Sequence, residues 1–208
     1  MNAPLKSLSP AVAVKGSLAA PARKAHWVLF AVLGLGIAAF DLWSKSFMFR
    51  LLEVQMGKVL LDGAEKMRVV HQEPIAVIPD LFEWEANVNY GAFSGWFGRH
   101  TGFLTALSAV ALAVVAWFLW AHLRGAGPHR LWFTAALGLL WGGTLGNLYD
   151  RAALGHVRDF IKWFVVIDGR AHVWPNFNVA DSAICVGVGI ILVVWLVDSR
   201  RARRERAA

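Results

Sequence analysis

Residues 103–123 read FLTALSAVALAVVAWFLWAHL, an apolar run with no formal charge, set between Gly102 and Arg124. A bilayer core requires about 20 such residues in a helix, so this stretch predicts a membrane span. Three further segments repeat the pattern on either side. Residues 131–149 are also uncharged but rich in glycine. Residues 27–49 stay apolar to Phe40 and then carry Asp41 and Lys45. Residues 182–197 follow directly on Asp181; the run is short, which predicts an upstream extension through Phe177. The expected fold class is an all-α membrane protein with four transmembrane helices.

Composition agrees. Of 208 residues 57% are hydrophobic and 17% charged, against about 45–50% and 25% in soluble domains. The mean hydropathy is +0.49. A disordered chain is excluded. The net charge of +7 could suggest nucleic acid, but its distribution excludes that partner. Lys6, Lys15, Arg23 and Lys24 precede the first span, and Arg200, Arg201, Arg203, Arg204 and Arg206 follow the last. With segments 1–26, 124–130 and 198–208 inside, that side carries eleven Lys/Arg against two acids. The loop 50–101 carries five against seven, and the loop 150–181 four of each. The positive-inside rule then puts both termini in the cytoplasm. Residues 1–26 are expected to form a disordered cytoplasmic tail, 27–198 the membrane domain and 199–208 a basic tail. A secretory signal peptide over 1–40 is the competing reading; Asp41 and Lys45, spaced to continue the helix, favour a span. Cys185 is the sole cysteine, so no disulfide framework exists.

The outer segments are too long to be turns. Asp62-Gly63 and Asp168-Gly169 can each close a hairpin, and the apolar stretch within Glu73–Glu85 is interrupted by Pro74 and Pro79. A small extracytoplasmic β platform over the four helices is expected.

Ionisable groups in membrane helices are costly and point to function. Asp41 and Lys45 lie toward the outer end of the first span; Asn147, Asp150 and Arg151 close the third on the same side. Asn178 and Asp181 open the fourth, three residues apart and so on one face, with Asp159 in the loop between. The histidines are scattered and no H-E-x-x-H occurs, which disfavours metal hydrolysis. No G-x-S-x-G elbow is present. Paired aspartates remain. Two close carboxylates cannot both ionise easily, so one can take a proton from water while the other polarises a carbonyl and then serves the leaving amine.

The stretch Gly142-Gly143-Thr144-Leu145-Gly146-Asn147-Leu148-Tyr149-Asp150-Arg151, followed by Gly155-His156-Val157-Arg158-Asp159-Phe160-Ile161, resembles a signature of lipoprotein signal peptidases (signal peptidase II). Phe177-Asn178-Val179-Ala180-Asp181-Ser182-Ala183-Ile184 is similar to the family's F-N-x-A-D-x-x-I block, and Asp41-Leu42-Trp43-Ser44-Lys45 to its D-x-x-[ST]-K block. Asn89-Tyr90-Gly91-Ala92-Phe93 approximates its N-x-G-A block. The blocks occur in family order over roughly 25–200.

The resemblance implies an aspartic endopeptidase of the bacterial inner membrane, multi-pass, with its active site near the outer leaflet. Its substrates would be diacylglyceryl-modified prolipoproteins, cut just before the lipidated cysteine. Asp159 and Asp181 would be the catalytic dyad, with no metal or organic cofactor. Globomycin-like inhibitors would occupy the same cleft, membrane lipids would surround it, and a monomer is expected. Asn147 and Asn178 would donate hydrogen bonds to substrate or to the catalytic carboxylates, with helix capping as the alternative. Asp150 and Arg151 would lock the loop bearing Asp159, or form only an interfacial ion pair. Asp41 would order the pocket or pair with Lys45. Asn89 and Gly91 would contact substrate, or form a simple turn.

Gly138, Gly142 and Gly146 recur every fourth residue and predict close helix packing. Trp27, Trp43, Trp132 and Trp174 predict an interfacial belt, and His156 is expected at the surface. Two departures stand out: Phe93 directly follows Ala92, where the family commonly has another small residue, and residues 54–72 lack a clear family counterpart. The rival reading is a non-catalytic four-helix lipid-binding scaffold or a proton-translocating protein. A proton path would need polar groups at several depths, whereas here they gather at one end.

Overall fold

The computed structural model describes residues 20–61, 63–91, 101–124 and 129–207. Four long helices, α1 (Ala20–Leu51), α2 (Thr101–Arg124), α3 (Arg130–Leu154) and α4 (Val179–Ala207), carry six strands at one end. Among the described residues, α1, α2 and α4 each contain a window long and apolar enough to cross a membrane. The glycine-rich α3 packs against all three of the others.

Several boundaries differ from the sequence expectations. Residues 1–19 of the expected tail lie outside the described residues, but 20–26 are helical and not disordered. Proline is tolerated in a helix's first turn, where Pro21 sits, and His26 Nδ1 meets Thr134 Oγ1 on α3 at 2.8 Å, fixing this first part of α1 to the bundle. α3 continues past Tyr149, so Asp150 and Arg151 are helical; it stops at Gly155, whose φ of +77° favours glycine. α4 does not reach back through Phe177. Phe177 instead exchanges backbone hydrogen bonds with Ile161, while α4 gains its length by running on to Ala207.

The expected β platform is present as two antiparallel sheets. β1 (Gln55–Leu61) and β2 (Ala64–His71) form a separate hairpin over the 54–72 segment. Asp62 lies outside the described residues; Gly63 has φ +79° and Leu61 pairs with Ala64, the register of a two-residue turn. The second sheet has the order β3-β4-β5-β6, with β3 (Ile75–Ile78) set between Pro74 and Pro79. β4 (Phe82–Asn89) pairs with β5 (Val157–Ile167), which turns through Asp168-Gly169 into β6 (Arg170–Val173). Both turn residues have positive φ, at +51° and +72°, as a type I′ turn requires.

Two apolar clusters hold the fold. Phe30, Leu119, Leu123 and Leu137 join α1, α2 and α3. Met48, Leu52, Ala86 and Phe160 join the end of α1 to β4 and β5. Along α1 the buried Asp41, Ser44 and Lys45 lie between Phe30 and Met48, so a polar layer separates the clusters. The glycines allow this layer to close. A Cβ at Gly142 would strike the Gly34 carbonyl of α1, one at Gly143 would lie 2.5 Å from the Ala180 carbonyl of α4, and one at Gly146 would strike the Asp41 carboxylate. Trp27, Trp43, Trp132 and Trp174 are all exposed, as a belt requires.

Candidate active site

The buried polar layer is built around Lys45, whose side chain is fully buried. A buried ammonium is stable only when paired and hydrogen-bonded. Lys45 Nζ lies 2.7 Å from Asp41 Oδ2, one turn away on α1, 2.9 Å from Asn147 Oδ1 and 3.5 Å from Asp150 Oδ2. The other oxygen of Asp41 accepts the Ala180 backbone N–H at 2.9 Å, joining α1 to the first turn of α4. Asp41 therefore pairs with Lys45 and ties α1 to α4 at once.

Lys45 can only donate, so it fixes the orientation of the Asn147 amide. With Oδ1 toward Lys45, Asn147 Nδ2 points the other way and donates to Asp181 Oδ1 at 2.8 Å. Asn147 lies well inside α3 and is no helix cap.

Asn178 is a cap and more. Its Oδ1 accepts the backbone N–H of Asp181 at 3.0 Å, while Asp181 Oδ2 accepts the backbone N–H of Asn178 at 3.2 Å. This reciprocal pair is a capping box with Asp at the third helical position. Asn178 Nδ2 is left to donate to Asp159 Oδ1 at 2.7 Å, with Asn147 Oδ1 at 3.2 Å. One residue thus touches both carboxylates.

Asp159 enters from β5, opposite Asn87 of β4, and is almost wholly buried. Its second oxygen accepts from Asn89 Nδ2 at 3.1 Å. Asn89 Oδ1 accepts the Gly91 N–H at 2.9 Å, an Asx turn that aims the amide at Asp159. Burial, followed by the nearby Asp181 carboxylate, pushes the Asp159 carboxyl up to about 8, against the lowering effect of the Asn89 and Asn178 donors. Asp159 therefore carries a proton near neutral pH, inside the polar layer that also holds Asp181.

Asp150 and Arg151 make their hydrogen bonds to different partners. Consecutive helical residues diverge around the axis, and the partner of Asp150 is Arg158. Arg158 reaches Asp150 through Nη2 at 2.8 Å and Nε at 3.2 Å, its backbone N–H donates to the same carboxylate at 3.0 Å, and Nη1 donates to Ser46. This fork anchors the residue next to Asp159. Arg151 Nη2 instead donates to the Gly91 carbonyl at 3.0 Å, and the guanidinium is near enough to interact electrostatically with Asp181 and Asp159. Arg158 is absent from the sequence-derived site; its signal was adjacency to Asp159 on the strand side of Gly155. His156 is buried, not at the surface, and its ring packs 5.6 Å from that of Tyr90. Ala92 and Phe93 lie outside the described residues.

No three His, Cys, Asp or Glu side chains among the described residues are grouped to hold a metal ion. The site offers a proton-holding carboxyl, a second carboxylate and amide donors that fix both.

Known proteins match both the sequence and the fold. The chain is 40% identical to a lipoprotein signal peptidase of Pseudomonas fluorescens over 147 residues, 71% of this chain and 82% of that protein. It is equally identical to that of Teredinibacter turnerae over 150 residues, covering 70% and 82%. Two solved structures of bacterial membrane enzymes obtained by the in meso method share the fold. One has a TM-score of 0.63 at 24% identity, covering 82% of this chain and 88% of the other. The second has a TM-score of 0.60 at 24% identity, covering 80% and 92%. The family model for signal peptidase (SPase) II matches residues 33–197, and the chain belongs to that family.

Proposed function

We propose that the protein cleaves signal peptides from diacylglyceryl-modified prolipoproteins, just before the lipidated cysteine, using Asp159 and Asp181 to activate water. The observation that carries this reading is the bridge at Asn178, which hydrogen-bonds both carboxylates, one of them the buried Asp159, whose carboxyl burial and Asp181 push up to about 8. Asp181, the ionised partner, accepts from Asn147 Nδ2 and the Asn178 N–H. It takes a proton from water as the water oxygen attacks the scissile carbonyl carbon. Protonated Asp159 polarises the carbonyl oxygen. When the carbon–nitrogen bond breaks, a dyad proton passes to the leaving amine. No covalent enzyme intermediate forms.

The same reading makes α3 the fourth membrane span, puts both termini in the cytoplasm and the dyad near the outer leaflet of a bacterial inner membrane. Diacylglyceryl chains would then approach from surrounding lipid, globomycin-like inhibitors would compete for the cleft, and the monomer suffices. The segments 27–198 and 199–208 act as membrane domain and basic anchor; among the described residues α4 is continuous across their boundary.

Asp159→Asn and Asp181→Asn test the dyad with a diacylglyceryl-modified lipobox peptide. Each is expected to lower kcat by roughly 10²–10⁴-fold, the usual contribution of a general acid or base, in folded protein. Wild-type turnover by either variant overturns the assignment.

A further inference from the structure

The β1–β2 hairpin lies outside the motif blocks, yet it touches the segment that feeds the active site. Its base is fastened by Gln72, which exchanges two hydrogen bonds with Ala86 of β4, at 2.6 and 3.1 Å. Val69 packs against the Met48, Leu52, Ala86 and Phe160 cluster. Farther along the hairpin, the link is Tyr90. Its hydroxyl donates to the Met67 carbonyl of β2 at 2.9 Å, and Lys66 Nζ lies 5.1 Å from the ring centroid. A second neighbour of the ring is His156, 5.6 Å away at the corner between α3 and β5.

Tyr90 stands between two residues with assigned contacts. Asn89 before it donates to Asp159, and the Gly91 carbonyl after it accepts from Arg151. The Asn89 turn spans Tyr90, because Asn89 Oδ1 accepts the Gly91 N–H. A shift of the Tyr90 backbone therefore moves the Asn89 amide relative to Asp159.

We infer that Tyr90 is a positioning residue: its hydroxyl ties the β1–β2 hairpin to the Asn89–Gly91 turn, and the hairpin thereby holds the Asn89 amide on Asp159. The inference rests on the proposed role of Asp159. It gives the 54–72 segment a task in the reaction without substrate contact. Asp159 is faced by Asp181 from α4, Lys45 from α1, Arg151 from α3 and the Asn89 amide from β4. Of the two amides that donate to Asp159, Asn89 and Asn178, Asn89 is the one on the turn that Tyr90 ties to the hairpin.

Tyr90→Phe removes the hydroxyl and keeps the ring. It is expected to lower kcat by about three- to tenfold, the value of one hydrogen bond, with KM unchanged. The alkaline limb of the pH profile should move upward, since an Asn89 donor favours ionised Asp159. Replacing residues 56–70 by Asn-Gly, which can close directly between the paired Gln55 and His71, should produce the same upward shift. In an Asn89→Ala background, Tyr90→Phe should have no further effect on kcat or on the limb, because residues acting through one contact are non-additive. Equal losses in both backgrounds overturn the inference, as does wild-type kcat and pH profile in both Tyr90→Phe and the shortened hairpin. An active Asp159→Asn enzyme overturns this inference together with the dyad. An inactive one beside an unaffected Tyr90→Phe overturns the positioning role alone.

Discussion

Asn178 donates to Asp159 at 2.7 Å with the amide nitrogen of the same side chain whose oxygen caps the helix carrying Asp181. Helix start and candidate dyad are therefore set by one residue. Capping and donation to a candidate catalytic carboxylate, alternatives in the sequence, are both made by Asn178.

That coincidence separates two substitutions. Asn178→Ala loses both bonds and should destabilise the protein by about 1 kcal/mol through the cap alone, with a fall in kcat. Asn178→Asp retains a capping oxygen but sets a third carboxylate against Asp159. It should melt close to wild type while cleaving far more slowly. Thermal unfolding in detergent and lipopeptide turnover, measured on both variants, check this. Equal kcat in wild type and Asn178→Asp would refute the amide's part in the dyad.

Arg158 and Arg151 should fail in different ways. Arg158→Ala leaves the buried Asp150 without its fork, and removing one partner of a buried pair costs about 3–5 kcal/mol. Arg158→Lys cannot restore the two-pronged contact and should rescue only in part. Among the described residues Arg151 donates to the Gly91 carbonyl alone, so Arg151→Ala should reduce turnover with a much smaller loss of thermal stability. The comparison of melting temperatures decides it; matching losses in the two alanine variants would contradict the geometry.

Gly146→Ala should be the most damaging of the glycine substitutions along α3, since the added methyl strikes the Asp41 carboxylate that also holds Lys45 and the Ala180 N–H. Overpacking costs about 1–3 kcal/mol, and displacement of Asp41 adds to it. Gly189→Ala is the control, because a Cβ there meets nothing within 4 Å. Folded yield and unfolding temperature should fall in the first and hold in the second.

The sequence pattern carried the long apolar helices α1, α2 and α4 because hydrophobic length is a local property, and it carried the hairpin at Asp168-Gly169 because a turn's φ demands are local as well. Its errors lie where the decisive partner is distant. Asp150 and Arg151 are expected to lock the loop bearing Asp159, but the partner that each takes is not a local property: Gly155 folds β5 back and delivers Arg158 to Asp150, while Arg151 reaches the Gly91 carbonyl. The shortness of the apolar run 182–197 points to a helix extended upstream through Phe177; the free edge of Ile161 claims its backbone instead. His156 looked like a surface residue, yet Tyr90 covers it. The polar residues of the site were legible by type and by end of the bundle. Their wiring, with Lys45 dictating the Asn147 amide, depends on three helices meeting and has no local signature.

The Asp159 carboxyl gives the pH dependence its direction. Its folded value, pushed to about 8 by burial and by Asp181, lies above the unfolded 3.8. Between those values the folded chain holds a proton that the unfolded chain has lost, so this group's contribution to stability falls as pH rises through that window and levels off above it. Activity follows the same proton. In the proposed mechanism cleavage requires Asp159 protonated, so kcat should decline above pH 8, approaching tenfold per unit. The charged groups that face Asp159 from the packed elements are Asp181 of α4, Lys45 of α1 and Arg151 of α3. Asn89→Ala removes a donor that favours the carboxylate. Its limb should lie higher, and its ratio of rates at pH 9 and pH 7 should exceed that of wild type even though both rates are lower. Lipopeptide cleavage across pH 6–10, with unfolding monitored at each pH, provides the measurement. A wild-type profile flat through pH 10, or a limb displaced downward in Asn89→Ala, would show that Asp159 does not hold the working proton.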